Sequence, residues 1–214
     1  MIISKKKPFQ DLQTLMPLGS IYILGCSECA TLCKTGGKDE VEQMKQQLES
    51  AGYTINGTFV LDPACHKKNS RHLLRSELAI IQGSDHILVL ACGDGLQVVA
   101  SLFPDNHVVS GTDTLFLGAE DKRYVFGRRC DLCGTCIAES FNGICPIGRC
   151  PKHMLNGPCG GAMDGHCEIS HDYPCVWLEI IEKADKINQR DTIRSIQPPH
   201  NWKTSLTQHI GDEE

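Results

Sequence analysis

The chain has no apolar run able to cross a bilayer: its longest, positions 87–91, is far short of the roughly 20 residues a membrane helix needs. It has no broad basic excess either. Lys and Arg number 21 against 26 Asp and Glu, for a formal net charge of -5, so binding to nucleic-acid backbones as a class is excluded. The short basic groups, Lys5 with Lys6 and Lys7, and Arg128 with Arg129, read as solvated surface. The first residues lack the apolar core of a secretory signal, so the expected compartment is the cytoplasm. Internal repeats and low-complexity stretches are missing. So is any constellation of acid and base residues in a recognisable catalytic setting: Asp39, Glu40 and Asp121 read as ordinary helix-start and loop carboxylates.

Cysteine is what the chain has in abundance, with thirteen among 214 residues. In a reducing compartment this is not a disulfide framework, and an odd number fits one poorly. Metal ligation is the expected use.

Hydrophobic patterning divides the chain into four parts: an N-terminal arm (1–19), a Rossmann-like α/β domain (20–117), a cysteine-rich segment (118–175), and a C-terminal helix with a docking tail (176–214). In the second part, short apolar runs at 21–24, 58–61, 86–90 and 107–109 predict strands. Helical spacing predicts helices over 38–51, 70–82 and 95–102. Repeated strand-then-helix order implies a parallel sheet covered on its faces. In 118–175 periodicity fades while Gly, Pro and Cys rise, so that segment is expected to be irregular, ferredoxin-like and organised by metal. A last helix is expected over 176–190, with Trp177, Ile180, Ile181 and Ala184 on one face.

The cysteines fall in two groups. In the first, Cys26, Cys29 and Cys33 are spaced so that a helix would put them on one face. Cys26, Cys65 and Cys92 each follow a predicted strand, and adjacent parallel strands deliver such residues to one edge, where ligands bind. Five thiols are thus available for a centre that usually takes four. Cys26, Cys29 and Cys33 form the expected trio, Cys92 is the preferred fourth, and Cys65 is the contender. The turn Cys92-Gly93-Asp94-Gly95 offers backbone N–H groups close by.

The second group is Cys130, Cys133, Cys136, Cys145, Cys150, Cys159, Cys167 and Cys175. The Cys-x2-Cys-x2-Cys run is of the kind that wraps a cubane, and Pro146 after Cys145 echoes the Cys-Pro closing such runs. Eight thiols match two four-cysteine centres. Zinc is the rival, since tetrahedral sites use the same ligand, although they usually pair two Cys-x2-Cys knuckles. Spacing alone leaves open which cysteines share a centre. His153, His166 and His171 lie among them and read as surface histidines, while Arg128, Arg129, Arg149 and Lys152 are positioned to offset cluster charge or orient a redox donor.

Four segments carry a family resemblance: GCSECATLCKTGG (25–37), LVLACGDGLQ (88–97), DTLFLG (113–118) and CPIGRCPKHMLNGPCGG (145–161). Together, over about 20–202, they resemble the methylenetetrahydrofolate reductase C-terminal domain family, whose stand-alone members are small iron–sulfur subunits of the acetogen-type reductase. The resemblance implies [4Fe-4S] clusters, two or three of them, with zinc at one site as a variant. It implies an electron conduit bound to a flavoprotein partner, with the flavin and the folate chemistry on that partner, and an upstream donor feeding this chain. Cys26, Cys29, Cys33 and Cys92 match the family's first motif and the eight later cysteines its second region. Trp177 and Trp202 are candidates for the flavoprotein interface, with packing inside the chain as the alternative. The other reading of the whole is a zinc-stapled scaffold of the same flavoenzyme that moves no electrons; a freestanding redox sensor or cluster carrier is a third.

Overall fold

The computed structural model describes residues 1–207; positions 208–214, the end of the expected docking tail, lie outside the described residues. The fold is α/β, with parallel and antiparallel sheets and helices. Two compact units are present, Met1–Phe116 with Glu120–Phe126, and Leu117–Ala119 with Gly127–Glu214. Among the described residues, no helix is long and apolar enough to cross a membrane.

The first unit begins with strand β1 (Ile2–Lys6) and helix α1 (Phe9–Leu15). There follow β2 (Ser20–Cys26), a single helical turn α2 (Cys29–Leu32), α3 (Lys38–Ser50), β3 (Thr54–Leu61), α4 (Lys67–Leu73), α5 (Leu78–Gln82), β4 (His86–Leu90), α6 (Gly93–Leu102) and β5 (His107–Ser110). Strands β3-β2-β4-β5 form a parallel sheet in that order. Every residue of β4 is buried, as expected of a central strand covered on both faces. Alternation along β2 sends Tyr22, Leu24 and Cys26 into one apolar layer and Ile21 and Ile23 into the other. Helix α3 buries Val41, Met44 and Leu48 on one stripe, and Glu40 reaches back to accept the Gly37 N–H at 3.0 Å.

Three expectations need correction here. The N-terminal arm is a strand and a helix: β1 joins β6 (Thr112–Lys122) and β7 (Val125–Cys130) in a second sheet ordered β1-β6-β7, while Leu12 and Met16 are fully buried. Lysines and a proline around a five-residue strand hid that pattern in the sequence. The helix expected over 70–82 is two, α4 and α5. The intervening turn lets Leu74 and Ile81 both reach the core and brings Glu77 to accept the Tyr22 hydroxyl at 3.1 Å. The last helix, α8 (Val176–Lys186), stops four residues before position 190, and Asn188 beyond it is left-handed at φ 54°.

The second unit contains a 3-10 turn (Ala138–Phe141), the short α7 (Pro146–Arg149), a small antiparallel pair β8 (His166–Cys167) and β9 (Ser170–Pro174), and α8. Most of its backbone is irregular. It has an apolar cluster of Phe141, Val176, Trp177 and Ile180, built mainly on the apolar face of α8. Only Phe141 comes from inside the Gly- and Pro-rich stretch, so no periodicity announced it. Trp177 is 2% exposed, donates its indole N–H to the Met154 carbonyl at 2.9 Å, and meets Phe141 edge-on with ring centres 5.3 Å apart. It packs within its own unit, as the alternative reading of this residue expected.

Candidate metal centres

In the second unit Cys130, Cys133 and Cys145 share one neighbourhood and Cys150, Cys159, Cys167 and Cys175 line another, while Cys136 is exposed. Cys130 ends β7, and its sulfur accepts the Leu132 N–H at 3.4 Å. The loop then curls through left-handed residues, Leu132 at φ 54° and Gly134 at φ 83°, which wraps it around Cys133. Cys133 is 8% exposed, whereas Cys136 is exposed. Cys145 caps α7 and accepts the Gly148 N–H at 3.4 Å. A Cβ on Gly148 would lie 2.8 Å from the Arg129 carbonyl oxygen and 3.0 Å from Cys130 Cα, so α7 sits directly on the end of β7. Burial pushes the Cys145 thiol up; the N–H groups of Gly148 and Ile147 pull it down, and Cys133 and Cys130 push it up again. Sulfurs that accept backbone N–H bonds while crowding one another are suited to ligation, because bound metal removes the repulsion and the N–H bonds tune the thiolates.

The other set surrounds one cavity. Cys150 at the end of α7, Cys159 in a glycine-rich loop, Cys167 in β8 and Cys175 at the start of α8 line it together, with Trp177 as part of the wall. The cavity is about 20 Å³, room for one ion. A cubane requires the loop to stand further out, and Gly157 and Gly160 have open space around them for that movement. Among the described residues, no three His, Cys, Asp or Glu side chains stand close enough to hold a single metal ion. Four thiols from four segments line this space, the donor type that zinc and iron–sulfur centres both use.

Of the four cations expected to steer a redox partner, three pair with carboxylates of this chain, while Arg129 donates to the Arg128 carbonyl at 3.1 Å. Arg149 forks onto Glu179 with both contacts at 2.8 Å, Lys152 pairs with Glu168, and Arg128 pairs with Asp131 at 2.8 Å. His153 and His166 direct Nδ1 at the carbonyls of Ile147 and Asp164, at 2.8 and 2.9 Å, in keeping with surface roles. The gathering of Cys130 with Cys133 and Cys145, and of Cys150 with Cys159, Cys167 and Cys175, escaped sequence reasoning. A usable signal was the near-even interval of nine, eight and eight residues along the second set.

In the first unit, Cys26 (6% exposed), Cys65 and Cys92 lie at the carboxyl ends of β2, β3 and β4. Cys29 opens α2. Cys33 ends it and directs its sulfur at the Ile2 carbonyl of β1, 3.8 Å away.

Residues 109–203 match a family model described as the C-terminal region of methylenetetrahydrofolate reductase. The match takes in nearly all of the second unit's described residues and a little under half of the chain, narrower than the 20–202 over which the sequence resemblance was drawn. No curated protein and no solved structure matches the chain. The cysteine-bearing second unit is therefore similar to the methylenetetrahydrofolate reductase C-terminal family, and this associates the protein with that family at a general level.

Proposed function

We propose that the chain is the iron–sulfur electron-transfer subunit of a methylenetetrahydrofolate reductase complex, working in the cytoplasm. In this reading electrons from an upstream donor pass to the flavin of a partner subunit, where the folate is reduced. The observation that carries it is the convergence of Cys150, Cys159, Cys167 and Cys175 on one cavity inside the region matching the reductase family. Cys130, Cys133, Cys136 and Cys145 supply a second set of four. When bound, [4Fe-4S] clusters supply one-electron carriers. The chain's own part is to hold the thiolates, donate N–H bonds from Leu132 and Gly148 to sulfur, and exclude water with Phe141, Trp177 and Ile180. Trp202, 44% exposed and meeting His200 edge-on, is the tryptophan that remains to meet the flavoprotein.

The second reading, a zinc-stapled scaffold of the same flavoenzyme, draws on the cavity's size, which accommodates one ion more readily than a cube of iron and sulfide. Anaerobic purification separates the two. Brown protein with iron and acid-labile sulfide in equal amounts, co-purifying with a flavoprotein that it reduces, supports the electron relay. Colourless protein containing only zinc overturns it.

A further inference from the structure

We propose that residues 193–205 form a strap that gates two cysteine loops of the second unit. Latched, it holds the Cys133 loop and the Cys159 loop in place together; released, it frees both.

The strap is tied at three places, and the stretch between the last two is stiff. Ile193 packs against the apolar cluster of Phe141, Val176, Trp177 and Ile180. Gln197 then pairs with Asn156 through two bonds. The Gln197 N–H donates to Asn156 Oδ1 at 2.7 Å, and Asn156 Nδ2 donates to the Gln197 carbonyl at 3.0 Å. Pro198 and Pro199 follow, with φ fixed and no N–H to satisfy, so the chain leaves this latch without needing further donors paired. The 3-10 turn Trp202–Leu206 then sets down on Gly134, between Cys133 and Cys136. A Cβ on Gly134 would lie 2.7 Å from the Thr204 carbonyl carbon and 2.8 Å from the Ser205 nitrogen. The two backbones therefore touch, and only glycine admits the contact.

Each loop depends on its tie. Asn156 stands three residues before Cys159, and Gly157 and Gly160 would have nothing within 4 Å of an added Cβ. A loop so thinly contacted is held by what Asn156 grips. Cys133, 8% exposed, lies next to the seat of the strap's other end. The middle of the strap is its weak point. Among the described residues His200 Nε2 is buried with no hydrogen-bond partner, at a cost the latched state must carry. A segment fastened at its ends and penalised between them is suited to release as one piece, a local opening short of unfolding. The strap also carries Trp202, so a flavoprotein seated on that ring keeps the gate shut. This last step rests on the proposed function, whereas the strap rests on its ties alone.

The test uses the full chain as purified without oxygen. In Asn156→Ala, which loses both latch bonds, alkylation of Cys133 in the presence of a chelator should quicken about tenfold, the worth of a hydrogen-bond pair at a partly exposed site. In Gly134→Ala, which pushes the other end off its seat, hydrogen exchange of the Gln197 amide should quicken by a similar factor. Amides of α8 should keep their protection in both variants, which separates strap release from unfolding. Should a variant fail to fold, the wild type decides: across mild urea, Cys133 alkylation and Gln197 exchange should report one opening equilibrium. Unchanged Cys133 reactivity in Asn156→Ala, an unchanged Gln197 amide in Gly134→Ala, or two unrelated openings in the wild type overturns the strap. Adding the flavoprotein should slow both wild-type probes; if it leaves them unchanged, the docking step is overturned and the strap is not.

Discussion

Replacing Trp177 by alanine removes a side chain that is 2% exposed, the edge-on contact with Phe141, and the indole N–H that satisfies the Met154 carbonyl. Truncation of a buried tryptophan costs about 3–5 kcal/mol, which includes most of the cavity term. An orphaned carbonyl adds about 1 kcal/mol or more where water cannot reach it. The second unit's apolar cluster has only four fully buried members, so it has little with which to compensate. The expected total, about 4 kcal/mol, corresponds to a fall in melting temperature on the order of 15 °C or more for a unit of this size. Trp177→Phe, which keeps the ring contact and loses the hydrogen bond, should fall between alanine and wild type. The assay is thermal and urea unfolding of the metal-loaded chain, followed by near-ultraviolet circular dichroism, with flavoprotein binding measured in parallel. Wild-type stability in Trp177→Ala combined with lost partner binding would refute the packing argument and return this residue to an interface.

Other expectations follow from single contacts. Gly148→Ala forces a methyl to within 3.0 Å of two backbone atoms of β7, so metal content of the Cys130 set should fall, with a stability loss of about 1–3 kcal/mol, while the Cys150 set keeps its metal; unchanged content throughout would count against α7 lying on β7. Tyr53→Phe removes the hydroxyl that donates to the buried Met16 carbonyl at 2.7 Å, and the first unit should lose about 1–2 kcal/mol in urea titration. Burial pushes the Cys33 thiol up. Its protonated form is favoured in the fold, so its contribution to stability is complete below the ordinary thiol range and is lost as pH rises through the raised value. The deficit of Cys33→Ser relative to wild type should therefore be constant around neutral pH and shrink as pH rises through and beyond the ordinary thiol range; a deficit that grows with pH would refute the sign. Substituting Arg149 by Met breaks a partly exposed fork to Glu179 and should cost about 1 kcal/mol with electron transfer to the partner unchanged. A selective loss of partner reduction would restore the steering role.

The sheet of the first unit was legible because burial wrote itself into the residues. The run HILVL at 86–90 has no polar interruption after its first residue, and Val41, Met44 and Leu48 recur at helical spacing. Where the signal came from outside the segment, reading failed. Two of the five residues of strand β1 are lysine, and its place is set by pairing with β6. The break between α4 and α5 falls between Leu74 and Glu77, where Glu77 turns to accept the Tyr22 hydroxyl from another element. Cysteine identity was legible and cysteine grouping was not, for a physical reason. Chain spacing groups residues within one turn, whereas a metal site gathers residues that the fold brings back. Cys33 is near Cys29 in sequence and faces Ile2 in space, while Cys65 is remote from Cys92 in sequence and comes to it through Ala64 against Gly95. The register of three parallel strands is what brings Cys26, Cys65 and Cys92 to one edge of the sheet, and a change that shifts β3 relative to β2 should move Cys65 along that edge without touching any sulfur. Gly57 is such a lever. Its absent Cβ admits the Tyr22 ring, and the methyl of Gly57→Ala would fall 2.5 Å from a ring carbon at the point where β2 and β3 slip register. If metal content of the first unit survives that substitution at wild-type level, strand register is not what gathers its thiols.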